Sequence, residues 1–189
     1  MISSLIGIIA SSGGVAETNS YESISTTTVG AGGVSSVTFS SIPSTYQHLQ
    51  IRCLVKDTGT TYGTGLQVSL RMNSDSGSNY TYHNLKGQGS SASAGGTGNG
   101  SQLYNGYYPG SLSNTSSFGV IVMDILDYGD TNKFKTARAL SGDDLNGSGT
   151  VALTSGSWRS TSAITSIQLL PNDVAFAQYS SFALYGIKG

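Results

Sequence analysis

Few residues in this chain are of a type that does chemistry, and their spacing matches no catalytic or metal-binding motif. The two histidines, His48 and His83, lie in no H-x-E or H-E-x-x-H pattern and have no cysteine partner, so the sequence predicts no zinc site. Serine is abundant, but no G-x-S-x-G nucleophile elbow occurs. We therefore expect no cofactor, no metal and no enzyme of these classes.

Three carboxylates are the remaining catalytic candidates. Asp124, Asp127 and Asp130 are spaced by three residues. This spacing would bring them together on a helix, but on a strand and its turn they would not converge. The sequence thus leaves a glycosidase pair open without supporting one. Cys53 alternates with apolar neighbours and is predicted to be a buried, inert thiol.

Three polar, glycine-containing stretches resemble ligand loops only in part. The stretch "GGTGNG" (95–100) lacks the strand, helix and Lys-Ser/Thr of a phosphate loop. The stretches "NSDSGSN" (73–79) and "DDLNG" (143–147) resemble calcium-loop fragments, but Asn84 stands where the closing glutamate of the first would be. Asx turns explain both better, with calcium left as the minority alternative.

The composition indicates a folded, largely β protein. Charged residues make up 10%, the net charge is -1, and there are 26 glycines, eleven tyrosines, five phenylalanines and one tryptophan. Without a cluster of basic residues we expect no nucleic-acid partner, and without an apolar run of about 20 residues we expect no membrane span. A single cysteine forms no intrachain disulfide, so stability must come from packing or assembly.

Short alternating stretches separated by turn residues predict an all-β protein, an antiparallel β-sandwich or jelly roll of about nine or ten strands. In residues 48–56 we expect Ile51 and Val55 on the buried face and Arg52 on the other, and in residues 66–72 we expect Val68 and Leu70 to be buried. Residues 66–85 are predicted to form a hairpin. The predicted strands span residues 21–29, 35–40, 48–56, 66–72, 80–85, 118–126, 132–140, 149–156, 162–170 and 179–187.

The predicted organisation is an N-terminal arm (1–20) followed by one β-sandwich domain (21–189) with a long Gly/Ser-rich loop at about 87–117. The arm is predicted to bind a partner through five large apolar residues, namely Ile2, Leu5, Ile6, Ile8 and Ile9. Such residues are costly to leave in water, and the "SSGG" that follows suits a flexible joint. We expect Met1–Ala10 to dock on a sister subunit or another protein; the alternative is an edge strand of its own sandwich. A cleaved signal peptide is disfavoured because no basic residue precedes the short apolar run.

Aromatic residues supply the other binding candidates. The stretch "LYNGYYPG" (103–110) places Tyr104, Tyr107 and Tyr108 in the predicted loop as a surface contact, since tyrosine offers rigid amphipathic area. The favoured alternative is that they pack the loop onto its own or a neighbouring subunit. Trp158 is either a core or interface anchor or a sugar platform, and its position beside a turn favours the anchor.

Both ends of the domain carry a resemblance to a known family. The stretches "YESISTTTVGAGGVSSVTFSSIPSTYQHLQIR", "GSWRSTSAITSIQLL" and "SSFALYGIKG" resemble small virion proteins of tailed bacteriophages, including phages of cyanobacteria. The resemblance implies a β-sandwich or jelly-roll structural subunit located in the virion, on the head or the tail. It carries over no site residues.

The expectation is therefore a non-enzymatic phage virion structural protein, most concretely a capsid decoration or cement protein that bridges neighbouring capsid subunits. Its expected partners are copies of itself, as a homotrimer, and other virion proteins such as the major capsid protein. The alternative is a tail-fibre or receptor-binding module that recognises cell-surface glycan. A glycan-active enzyme or lectin is a more distant third.

Overall fold

A computed structural model describes residues 20–59, 66–108, 116–172 and 174–189, and these form twelve antiparallel strands in two sheets. No helix occurs among the described residues, and so none there is long and apolar enough to cross a membrane. The predicted all-β antiparallel sandwich is confirmed, with twelve strands in place of nine or ten.

The larger sheet has eight strands, in the order β1-β12-β3-β8-β9-β10-β5-β6. The strands of this sheet are β1 (Tyr21–Thr28), β3 (His48–Val55), β5 (Tyr80–Gln88), β6 (Ser91–Gly100), β8 (Gly119–Leu126), β9 (Lys135–Asp144), β10 (Gly149–Trp158) and β12 (Ser181–Ile187). The smaller sheet has the order β2-β11-β4-β7. Its strands are β2 (Val37–Phe39), β4 (Leu66–Met72), β7 (Leu103–Tyr108) and β11 (Ile167–Leu170).

The hydrophobic core lies between the two sheets. Alternate residues of the central strands point into it, which gives β9 its alternation of buried and more exposed positions. The four residues predicted to be buried, Ile51, Val55, Val68 and Leu70, are fully buried, and Arg52 is exposed as predicted. One face of the large sheet is thus covered by the small sheet.

The predicted loop at 87–117 is wrong in its larger part, because it contains β6 and β7. β6 pairs with β5, yet nine of its ten residues are exposed, so no apolar alternation marks it as a strand. β7 lies against β8 inside the sandwich. Gly106 permits this approach, because its φ is +128° and a Cβ there would meet Ile121 Cγ2 at 2.7 Å.

The hairpin predicted for residues 66–85 is also wrong. β4 pairs with β11 and β7 in the small sheet, whereas β5 pairs with β10 and β6 in the large one. The turn between them therefore joins the two sheets. Sequence alternation marks both strands but does not say which strand each one pairs with.

A buried corner fixes this crossing between the sheets. Trp158, at the end of β10, donates a hydrogen bond from Nε1 to Asp75 Oδ2 at 2.7 Å and stacks on Tyr80, with ring centroids 6.5 Å apart. The Tyr80 hydroxyl accepts a bond from the backbone N–H of Met72 at 3.0 Å. Trp158 is therefore an anchor of its own core, as favoured from the sequence, and is too buried to serve as a sugar platform.

Replacing Ile51 by Ala should lower the free energy of unfolding by about 2–4 kcal/mol, because it leaves a cavity in the packed core. Arg52→Ala is the matched control on the exposed face and should cost less than about 1 kcal/mol. Urea denaturation of both variants measures the difference. Equal losses would mean that the side chains of β3 face the opposite way.

Candidate interaction surface

The outer face of the large sheet carries a continuous set of exposed apolar side chains. The side chains lie in two neighbouring rows that cross the strands, as the strand register shows. One row crosses from β8 to β5 and contains Val122, Leu140, Leu153 and Leu85. The other crosses from β3 to β10 and contains Leu54, Val120 and Val151. We call this set, with the half-buried Val122 that lies within it, the outer patch; it consists of Leu54, Leu85, Val120, Val122, Leu140, Val151 and Leu153. Leu85, Leu140 and Val151 are 60%, 59% and 63% exposed. Contiguous exposed apolar surface of this kind marks an interaction site.

The usual distribution of polar and apolar residues is inverted where β5 and β10 form the patch. On β10, Thr150 and Thr154 point inward and are buried, whereas Val151 and Leu153 point outward. On β5, Leu85 points outward between two partly buried polar neighbours. A strand keeps its larger apolar side chains in water only at a cost. This inversion makes the outer face the candidate interaction surface of the chain.

Polar side chains replace apolar packing on the inner side of these strands. Asn84 Nδ2 donates to Tyr107 Oη at 3.0 Å, and the Lys86 ammonium lies 5.5 Å from the centre of the Tyr107 ring. The backbone N–H of Tyr107 donates to Ser141 Oγ at 3.0 Å. β7 thus packs on polar groups of β5 and β9, which explains why their polar residues face inward.

A hydrogen-bonded cluster borders the outer patch on the side toward β1. Gln50 Nε2 donates to Tyr21 Oη at 3.0 Å and to Asp124 Oδ1 at 2.9 Å. Arg138 Nη2 donates to Asp124 Oδ2 at 3.1 Å, and Arg52 Nε donates to Gln50 Oε1 at 2.8 Å. The Arg52 guanidinium also lies over the Tyr21 ring, 5.7 Å from its centre. An apolar centre beside a polar border rich in Tyr and Arg is the usual composition of a protein–protein interface.

The tyrosines predicted as a surface contact loop lie instead on β7, and two of them are buried. Tyr108 is fully buried, and its hydroxyl accepts a bond from the backbone N–H of Asn172 at 3.0 Å. Tyr107 is buried beneath β5, and Tyr104 packs edge-on against Tyr82 with ring centroids 5.5 Å apart. The prediction of a surface contact is therefore wrong for Tyr107 and Tyr108, because their aromatic area stabilises the sandwich. The favoured alternative, packing onto its own subunit, describes all three.

The three candidate carboxylates are each engaged by a cation. Asp124 lies on the outer face of β8, in the polar cluster. Asp127 and Asp130 lie in the following turn and share the Lys133 ammonium, at 2.6 Å and 3.5 Å. The hydrogen bond from Lys133 lowers the pKa of Asp127, so this group is held as an anion and is not poised as a general acid. The backbone N–H of Asp127 also donates to His48 Nδ1 at 3.0 Å.

The two calcium-like fragments are turns. Asp75 accepts bonds from the Gly77 backbone N–H at 2.8 Å and from Asn79 Nδ2 at 2.9 Å, and the bond from Trp158 lowers its pKa most. Asp144 Oδ1 accepts the Asn146 N–H at 2.8 Å. Among the described residues no group of three His, Cys, Asp or Glu side chains is placed to hold a metal.

Of the two remaining sequence predictions, the one for Cys53 can be compared with the structure and the one for the N-terminal arm cannot. Cys53 is buried, and burial raises the pKa of its thiol far above the ordinary value, as predicted for an inert cysteine. The apolar residues of the predicted arm, Ile2, Leu5, Ile6, Ile8 and Ile9, lie outside the described residues. The outer patch was not predicted at all. The signal for it was the placement of Val151 and Leu153 between two threonines, which becomes readable only once the buried face of β10 is known.

Comparisons of the chain with protein-family models, with curated proteins and with solved structures find no match. The geometry of this chain and its sequence are therefore the basis for inferring its function.

Asp143 is a buried carboxylate at the polar end of the interior. The backbone N–H and the hydroxyl of Thr150 approach its oxygens, but neither forms a well-aligned hydrogen bond with them. Burial raises its pKa, and the adjacent Thr150 lowers it only in part. A raised pKa in the folded state means that Asp143 favours folding below the pKa of the unfolded chain, and that this contribution is lost as the pH rises through the folded pKa.

Asp143→Asn should therefore raise the free energy of unfolding by about 1 kcal/mol at pH 7, because the buried charge is removed. The gain should disappear below about pH 4, where the carboxyl is protonated in both states. Denaturant titrations at the two pH values test this, with the exposed neighbour changed in Asp144→Asn as control. A destabilised Asp143→Asn variant at pH 7 would contradict the interpretation.

Proposed function

We propose that this protein is a non-enzymatic structural subunit of a phage particle, most concretely a capsid decoration protein that holds neighbouring capsid subunits together. The observation that carries a structural role is the outer patch, an uncovered apolar surface on a rigid sheet. The resemblance of both ends of the domain to small virion proteins is the reason for proposing that this role is on a phage particle. Low charge also suits a subunit whose surface is covered by other chains.

The mechanism in this proposal is burial of surface between chains. Each large apolar side chain that passes from water into an interface contributes about 1.5–3 kcal/mol when fully buried. The outer patch holds seven such residues on adjacent strands. A decoration protein that covers the boundary between two capsid subunits resists their separation because separation would expose that surface again.

The tail-fibre alternative relied on three tyrosines for its glycan contact. Those were Tyr104, Tyr107 and Tyr108, and the last two are buried. Copy number separates the two roles. On the order of hundreds of copies per particle indicate decoration, whereas a small multiple of about three or six follows the symmetry of a tail.

Incorporation into particles tests the proposal directly. Leu140→Ser combined with Leu153→Ser should remove the protein from purified particles, because both changes place hydroxyls in the apolar centre of the interface. Thr26→Ser lies in the same row of the sheet, on β1 outside the patch, and should leave incorporation unchanged. Full incorporation of the double variant, or absence of the unmodified chain from particles, would contradict the proposal.

Catalysis supplies a second test. We expect no turnover of polysaccharide or peptide substrates, because Asp124, Asp127 and Asp130 are engaged with cations and amides. Steady turnover by the purified chain that is lost in Asp124→Ala or Asp127→Ala would show that the protein is an enzyme.

A further inference from the structure

We propose that the outer patch binds the segment Met1–Ala10 of a neighbouring copy of this chain. The inference deepens the structural role proposed above by naming one partner of the patch. The proposed partner is a segment whose sequence is known and which lies outside the described residues.

The two surfaces match in chemistry. The segment has no charged residue, since the first in the chain is Glu17, and within nine positions it carries five large aliphatic side chains: Ile2, Leu5, Ile6, Ile8 and Ile9. The outer patch is also composed of leucine and valine alone. The aliphatic side chains of the segment and of the patch need no hydrogen-bond partner, so contact between them removes apolar area from water without burying a side-chain polar group. The backbone of the segment and the hydroxyls of Ser3 and Ser4 must keep their hydrogen bonds in the bound state.

The length of the intervening chain is sufficient. Eleven residue steps separate Ala10 from Tyr21, the first residue of β1, and an extended chain of that length spans about 36 Å. The patch centre on β9 lies four strand spacings from β1, or about 19 Å across the sheet. The tether is thus longer than the width of sheet that separates β1 from the patch, which leaves length to cross to a second molecule.

The tether is long enough to reach the patch of its own chain or that of a neighbour, and the expected homotrimer favours the neighbouring copy. An arm that binds the next subunit makes a heterologous contact, which closes into a ring when the rotation between subunits allows it. The expected homotrimer is such a ring.

Cysteine cross-linking of the purified full chain provides the test, since the native Cys53 is buried and does not compete. Two single variants, Ile6→Cys and Leu140→Cys, are co-expressed with tags of different size and mildly oxidised. We expect a disulfide between the two differently tagged copies, at least about tenfold more abundant than with Thr26→Cys in place of Leu140→Cys. Thr26 shares the row of Leu140 but lies on β1, outside the patch.

A chain starting at Asn19 provides the second measurement. It should keep the β circular-dichroism spectrum of the intact protein and lose its oligomer in sedimentation velocity. Cross-linking no stronger than that of the Thr26→Cys control, a disulfide formed only within one chain when both cysteines are placed together, or an oligomer that survives the truncation would each overturn the proposal. These measurements use the purified protein alone, so they test the contact between arm and patch independently of incorporation into particles. Either proposal can therefore fail while the other holds.

Discussion

The buried indole of Trp158 is the constraint on which the rest of the structure depends. Its hydrogen bond to Asp75 and its stacking on Tyr80 join the end of β10 to the turn that crosses from the small sheet to the large one. Side chains alternate along a strand with a period of two, so fixing one inward residue fixes the direction of every other. With Trp158 inward, Thr150 and Thr154 must face inward and Val151 and Leu153 must face out.

The consequence is a sandwich whose interior is apolar at one end and polar at the other. Near β3 and β8 the core is made of large aliphatic and aromatic side chains that are fully buried. Near β5 and β10 the interior holds Tyr107 with its polar partners and the unpaired carboxylate of Asp143. Leu85, Val151 and Leu153 of these strands lie on the outer face instead. This distribution places apolar side chains where a monomer would place polar ones, and it is the basis of the proposed interface.

Part of this arrangement could be predicted from the sequence, because the alternation of polar and apolar residues along a strand is a local signal. The alternation in β3 and β4 identified Ile51, Val55, Val68 and Leu70 as buried, because period-two burial is local. β6 left no such pattern, since it is held by backbone hydrogen bonds to β5 and is exposed on both faces. The burial of Tyr107 and Tyr108 and the exposure of the outer patch depend on which sheet each strand joins. Pairing between distant strands cannot be predicted from any local stretch of sequence. For that reason the outer patch was not predicted.

The central claim is that the outer face of the eight-stranded sheet is covered by protein in the working assembly. A reconstruction of the proposed phage particle at side-chain resolution measures this most directly. The account predicts that Leu85, Leu140 and Val151 lie in contact with another chain and are lost from the solvent-accessible surface. A reconstruction in which these three side chains face solvent, while the protein is held through some other surface, would contradict it.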